Sequence, residues 1–180
     1  MKNILLVALL LATLFVADAT PHEASRGEWH KNVFVSEFFG LLFTLPDGWY
    51  DEPQNGWQPG DWVVMYAEIP VLYGSEWFLE LVMLSYRESD LSAEDYLARV
   101  LVGNVSEHAG DELLRALQIQ DHTTRIGRYD WHSYSYWGLD GGFARVFVRA
   151  IDGYMQQILI FYGSEPMLDE ILEQFSPLEQ

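Results

Sequence analysis

From Trp77 to Arg87 the large apolar residues crowd both alternate sets of positions. Trp77, Leu79, Leu81 and Met83 fall on one side of an extended chain; Phe78, Val82, Leu84 and Tyr86 fall on the other with Glu80. The odd positions form the more apolar side, which predicts a strand with that face on a core. Trp62 to Ile69 reads as its hairpin partner, with Pro70 and Gly74 bounding the connection. Ile119 to Ile126, Tyr129 to Gly138, Phe143 to Asp152 and Tyr154 to Tyr162 form four successive strand-like runs. Asp140-Gly141-Gly142 and Asp152-Gly153 separate the last three, and such pairs supply the unusual φ of tight hairpins. Earlier in the chain, Asn32 to Ser36 and Gly40 to Leu45 are short runs of strand formers. The second ends at Pro46-Asp47-Gly48-Trp49, a turn in which Pro fixes φ and Gly accepts a positive one. Asp51 to Asp61 holds Pro53, Asn55, Gly56, Pro59 and Gly60 and reads as a loop.

Two stretches carry helical spacing instead. Ser92 can cap a helix whose first turn is acidic, and Tyr96, Leu97, Val100, Leu101 and Val105 then make one apolar stripe. Gly103 weakens that helix and Gly110 ends or kinks it; Asp111 to Leu117 reads as a further helical turn or two. Near the end Ser164 is the cap, Pro166 stands in the first turn, and Met167, Leu168, Ile171, Leu172 and Phe175 form the stripe. Pro177 stops it. Runs of strands interrupted by helices predict an α+β fold, with helices covering sheet faces.

The N-terminus has a different pattern. Lys2 precedes an apolar run of 13 residues, Ile4 to Val16, and Ala17-Asp18-Ala19 places small residues at the −3 and −1 positions of a cleavage site. This is the arrangement of a secretory signal peptide, and the run is shorter than the roughly 20 residues a membrane-spanning helix needs. Residues 1–19 are therefore expected to be a signal peptide. Residues 20–39 would be a loosely held leader with the first short strand, and 40–180 a single α+β domain. The protein is expected to be secreted or periplasmic, with no stable membrane anchor after cleavage.

Composition sharpens this. The full chain of 180 residues has 27 Asp plus Glu against 10 Lys plus Arg, a formal charge of −17, and no cysteine. So acidic a chain lacks the cationic footprint that nucleic-acid phosphates require. Without cysteine there is no disulfide, no thiolate nucleophile and no lipid attached through sulfur. Seven Trp, ten Phe and ten Tyr supply the packing that must hold it instead.

Three short patterns together resemble a known family. Phe43-Thr44-Leu45-Pro46-Asp47-Gly48-Trp49 is a strand running into an aliphatic-Pro-x-Gly-Trp turn. Ser92-Ala93-Glu94-Asp95-Tyr96 is a Ser-x-Glu-x-Tyr helix start. Ile158 to Tyr162, with Ile171, Leu172 and Phe175-Ser176, is a strand followed by a closing helix. These resemble the PsbP-like and Mog-like superfamily, including its secreted bacterial members related to DcrB. The resemblance covers about residues 40–175 in organisation. It implies an α/β/α sandwich around a largely antiparallel sheet covered by two or more helices. It also implies a protein that binds or assembles with others and is not an enzyme, and it brings no catalytic residues.

Candidate chemistry is sparse. No H-E-x-x-H run, nucleophile elbow or EF-hand loop occurs. Asp121-His122 and Asp130-x-His132 lie near each other in sequence, and adjacent strands could bring them together as a two-His, one-carboxylate site, but ordinary exposed sheet residues are by far the better explanation. No catalytic residue, metal or cofactor is assigned. Aromatic rings are the more informative feature. Trp57 and Trp62 flank or occupy the Pro/Gly-rich loop, and Trp131, Tyr134, Tyr136 and Trp137 crowd one strand. Arg145 and Arg149 share a strand face with Phe143 and Phe147 and should pair with carboxylates or stack on aromatics. These eight residues are the candidate binding set. The first reading is a non-enzymatic adaptor, chaperone or inhibitor-like module. Its aromatic groove with an acidic rim would hold a protein or peptide partner, a basic one by charge complementarity. The second is a carbohydrate-binding or carbohydrate-active protein, stacking Trp and Tyr on sugar rings and using carboxylates on hydroxyls.

Overall fold

The computed structural model describes residues 27–52, 62–73, 76–97, 122–137 and 143–179. Ten strands lie within them. A four-stranded antiparallel sheet contains β1 (Glu28–His30), β2 (Val33–Ser36), β3 (Leu41–Thr44) and β10 (Phe175–Pro177), in that order across the sheet. A six-stranded antiparallel sheet contains β4 (Val63–Tyr73), β5 (Glu76–Glu88), β6 (His122–Ile126), β7 (Tyr129–Trp137), β8 (Phe143–Ile151) and β9 (Tyr154–Tyr162). Its order is β4-β5-β9-β8-β7-β6.

The expected α/β/α sandwich is overturned. Helix among the described residues is confined to α1, described over 93–97, and α2 (Glu165–Leu172). One face of the large sheet is covered chiefly by the small sheet. Phe34, Leu41, Phe43 and Phe175 pack there against Met65, Val82, Leu84, Phe147, Ile158 and Ile160, and Leu168 and Ile171 of α2 complete that layer. The cover came from segments whose patterns pointed elsewhere. Residues 28–30 look like a polar leader, but Trp29 packs edge-on against Phe34 and Phe43, which ties them down as β1. Phe175 fits a helical stripe, yet α2 ends at Leu172. The Thr44 N–H then donates to the Gln174 carbonyl, and Phe175 pairs with Phe43.

The other face of the large sheet carries Tyr66, Leu81, Met83, Tyr134, Val146, Val148 and Leu159, packed with Ala93, Tyr96 and Leu97 of α1. Because both faces are covered, β5 is buried without interruption from Glu80 to Tyr86. Its odd positions are therefore not the only apolar face. Pro70 lies inside β4, opposite Leu79, and not in a turn. An edge strand tolerates this, since proline's missing N–H costs nothing on the outer side. Ser92 caps α1 as its sequence predicts, its Oγ accepting the Asp95 N–H at 3.1 Å. Ser164 precedes α2 in extended conformation without a side-chain cap bond. Residues 98–121, with the rest of the first predicted helix and the Asp111 to Leu117 turn, lie outside the described residues.

Candidate functional site

The Asp152-Gly153 turn pairs Ile151 with Tyr154, and the antiparallel register then sets Arg149 opposite Gln156. Asp152 and Gly153 hold φ of 47° and 81°, the backbone such a turn needs. Both Arg149 and Gln156 point to the face covered by the small sheet, where a tight turn at 37–40 presses in. That turn is held by the Phe39 N–H on Ser36 Oγ at 3.1 Å and the Gly40 N–H on the Glu37 carbonyl at 3.1 Å. Its inner carbonyls need donors, because a buried carbonyl left unpaired is costly. Arg149 Nη2 donates to the Phe39 carbonyl at 3.0 Å, and Gln156 Nε2 donates to the Phe38 carbonyl. Arg149 Nε donates to Gln156 Oε1 at 3.0 Å, locking the pair. Two side chains from one hairpin thus fasten the small sheet to the large one.

Aromatic rings surround the guanidinium. Its carbon stands 3.6 Å from the Tyr129 ring centroid and 4.9 Å from that of Trp131. Trp131 stacks in turn on Phe39, with centroids 6.4 Å apart and planes 8° from parallel. Burial pushes the Arg149 guanidinium down from its ordinary value, while Tyr129 works the other way. Burial alone would raise the Tyr129 hydroxyl, but Arg128 and Arg149 outweigh it and hold it below its ordinary value. Arg145 lies on the same face of β8, over Phe147 at 5.7 Å. The stacking expected of both arginines is present, and the contacts of Arg149 to Tyr129 are of cation–π type.

The eight candidate residues are not gathered in one place. Trp131 is fully enclosed on the face beneath the small sheet, and Tyr134 is buried on the opposite face. Trp62 is half-buried against that second face. Tyr136 and Trp137 stand in β7 opposite Ala144 and Phe143, with side chains outside the described residues, as is the whole of Trp57. Sequence reasoning missed Gln156 and the turn carbonyls of Phe38 and Phe39. Gln156 was readable from the Asp152-Gly153 turn; the carbonyls carry no side-chain signal.

A second polar group lies on the opposite face. The Tyr66 hydroxyl donates to the buried Glu68 carboxylate, and Gln157 Nε2 donates to the Tyr96 hydroxyl at 2.7 Å. Burial, then the Glu68 hydrogen bond and charge, push the Tyr66 hydroxyl far up. His132 Nδ1 stands 3.9 Å from Glu94 Oε1 at the start of α1. The register pairs His122 with Ser133 and Thr123 with His132. The register therefore places positions 122 and 132 on opposite pleats of neighbouring strands. Among the described residues no three His, Asp or Glu come together as a metal ligand set.

No protein-family model matches the chain, and no curated protein matches it. Solved structures do. The chain is similar to a protein of Bacteroides thetaiotaomicron VPI-5482 at 9% identity and a TM-score of 0.43, over 83% of this chain and 49% of that one. It thus spans about half the length of that protein. It is similar to LpqN of Mycobacterium tuberculosis, described as involved in cell envelope biogenesis, at 17% identity and a TM-score of 0.40, over 76% of this chain and 82% of that one. It is also similar to CyanoP, the cyanobacterial PsbP of Synechocystis sp. PCC 6803, at 12% identity and a TM-score of 0.48, over 90% of this chain and 98% of that one. A PsbP protein is thus among the solved structures this chain is similar to.

Proposed function

We propose that the chain is an exported, soluble, non-enzymatic binding module that holds a protein or peptide partner of basic character. The observation that carries this reading is the distribution of charge. Sixteen exposed Asp and Glu residues stand among the described residues, against Lys31, Arg125 and Arg128 as exposed cations. Arg145 is half-buried and Arg149 buried, so among the described residues cationic charge is drawn inward and the exposed positions are more acidic than composition alone requires. A one-signed surface speeds encounter with a partner of opposite sign and repels nucleic acid and anionic lipid. The N-terminal pattern supports export, and no helix among the described residues is long and apolar enough to cross a membrane. Trp57, Trp62, Tyr136 and Trp137 are the aromatic positions the proposal keeps for partner contact. Trp131 and Tyr134, being enclosed, act as scaffold.

Affinity capture from the secreted or periplasmic fraction, in low salt and again in 0.5 M salt, tests the reading. The expected result is a basic partner that is lost at high salt. Recovery of none, or of a partner indifferent to salt, overturns the electrostatic form of the proposal.

A further inference from the structure

We propose that Tyr129 is a covalent modification site of this chain, a nucleophilic phenol that takes acyl groups from small activated acyl donors. The observation that carries this is a cluster of one phenol and two guanidiniums at the turn between β6 and β7. Gly127, at a φ of 60°, shapes the two-residue turn that pairs Ile126 with Tyr129 and leaves Arg128 next to the ring. The Arg128 guanidinium carbon stands 5.0 Å from the Tyr129 ring centroid, and that of Arg149, reaching across from β8, stands 3.6 Å from it. Both arginines act on the phenol hydroxyl through charge and hydrogen bonding. Arg149 is fixed in place by Gln156 and the Phe39 carbonyl, so its charge stays at the ring. Asp130, the next residue, falls on the opposite pleat, with Arg125 at 4.0 Å.

The nucleophilic form of a tyrosine is its phenolate, and neighbouring cations favour that form. The gain in ionised fraction near neutral pH outweighs the lower basicity of the oxygen, as it does for thiolates. The chain's charge of −17 opposes further negative charge elsewhere, so the two local cations set Tyr129 apart. Tyr66, Tyr86, Tyr96, Tyr134 and Tyr162 are buried, whereas Tyr129 is only half-buried. Tyr50, at 45% exposed, is more accessible, but it is flanked in sequence by Asp51 and Glu52 and not by an arginine. Exposure alone therefore selects Tyr50, and the cationic cluster selects Tyr129. In the reaction the phenolate oxygen attacks the donor's carbonyl carbon. An oxygen–carbon bond forms, the bond from that carbon to the leaving group breaks, and the leaving group departs with the electron pair and takes up the phenol proton. The site does not rest on the partner-binding reading, because no partner enters the argument.

Limiting N-acetylimidazole added to the folded protein at pH 7.5, with peptide mapping by mass spectrometry, tests the proposal. The expected result is acetylation of Tyr129 at least about threefold faster than of Tyr50. Hydroxylamine should reverse it, which separates a phenyl ester from an amide on Lys31. Arg128 is exposed, so Arg128→Gln should fold. That variant should slow acetylation of Tyr129 by about two- to fivefold, the size of an exposed charge effect, and leave Tyr50 unchanged. Arg128→Lys should restore most of the rate. In urea the preference for Tyr129 should vanish, because only the fold brings Arg149 to the ring. Faster labelling of Tyr50 in the natural protein, an unchanged rate in Arg128→Gln, or a preference that survives in urea overturns the proposal. The comparison of Tyr129 with Tyr50 needs no variant, so a misfolded substitution leaves the test intact.

Discussion

Gly40 and Gly153 both hold a positive φ, 64° and 81°, but what surrounds them differs. A Cβ on Gly153 would meet nothing within 4 Å, whereas one on Gly40 would come within 2.8 Å of the Tyr129 ring and hydroxyl. G153A should therefore lose only the left-handed backbone cost, about 1 kcal/mol. G40A should lose that and the cost of displacing the ring that covers Arg149, about 2–3 kcal/mol in all. Urea denaturation of the two variants measures the difference. Equal losses would mean that Tyr129 does not hold the turn against the guanidinium. At this scale the sequence is informative in parity. Counting back from Asp152-Gly153 places Arg149 opposite Gln156, and the odd positions of β8 put Arg145 and Arg149 with Phe143 and Phe147. Parity also assigns Trp131 and Tyr134 to opposite faces. It does not say that both faces are covered, because the cover comes from segments far away in the chain.

Strands legible in the sequence are those with a hairpin signal at their ends. β7, β8 and β9 lie within a residue of their predicted bounds, since alternation and turn chemistry agree there. β1 and β10 were not legible, each only three residues long and with its partner supplied by tertiary packing. Phe175 shows the reason. It continues the apolar spacing of α2, and nothing local distinguishes one more helical turn from a strand that pairs with β3. Its ring is buried and lies 4.9 Å from that of Phe43. If β10 closes the small sheet over the core, F175A should cost about 3–5 kcal/mol, as large-to-small changes of buried aromatics do. S176A, on the same strand but exposed, should stay within about 0.5 kcal/mol. Chemical denaturation of both separates loss of the buried ring from a change in the strand. A small effect of F175A would place Phe175 outside the core.

Charge and buried phenols act together on the whole molecule. Burial, with Glu165 adding to it, pushes the Tyr162 hydroxyl up to about 12. Burial also raises Tyr66, Tyr96 and Tyr134. In the unfolded chain a tyrosine titrates near pH 10. A group whose folded value is higher keeps its proton longer in the folded state, so the unfolded state binds fewer protons above pH 10. Stability must then fall with rising pH. The contribution of Tyr162 is whole below about pH 10 and lost as pH rises towards about 12. Tyr129 runs the other way and should ionise first, still folded, beside Arg128 and Arg149. Each phenolate also adds to a charge already at −17, whose self-repulsion opposes the folded state. Salt distinguishes the two effects, because 1 M NaCl shortens the screening length to about 3 Å but does not restore water to a buried hydroxyl. Urea denaturation across pH 8 to 12, at low and high salt, should show a decline above pH 10 that salt reduces but does not remove. Absorbance at 295 nm should record the buried tyrosines ionising only with unfolding. Ionisation of all tyrosines near pH 10 in the folded protein, or complete rescue by salt, would assign the alkaline weakness to surface charge alone.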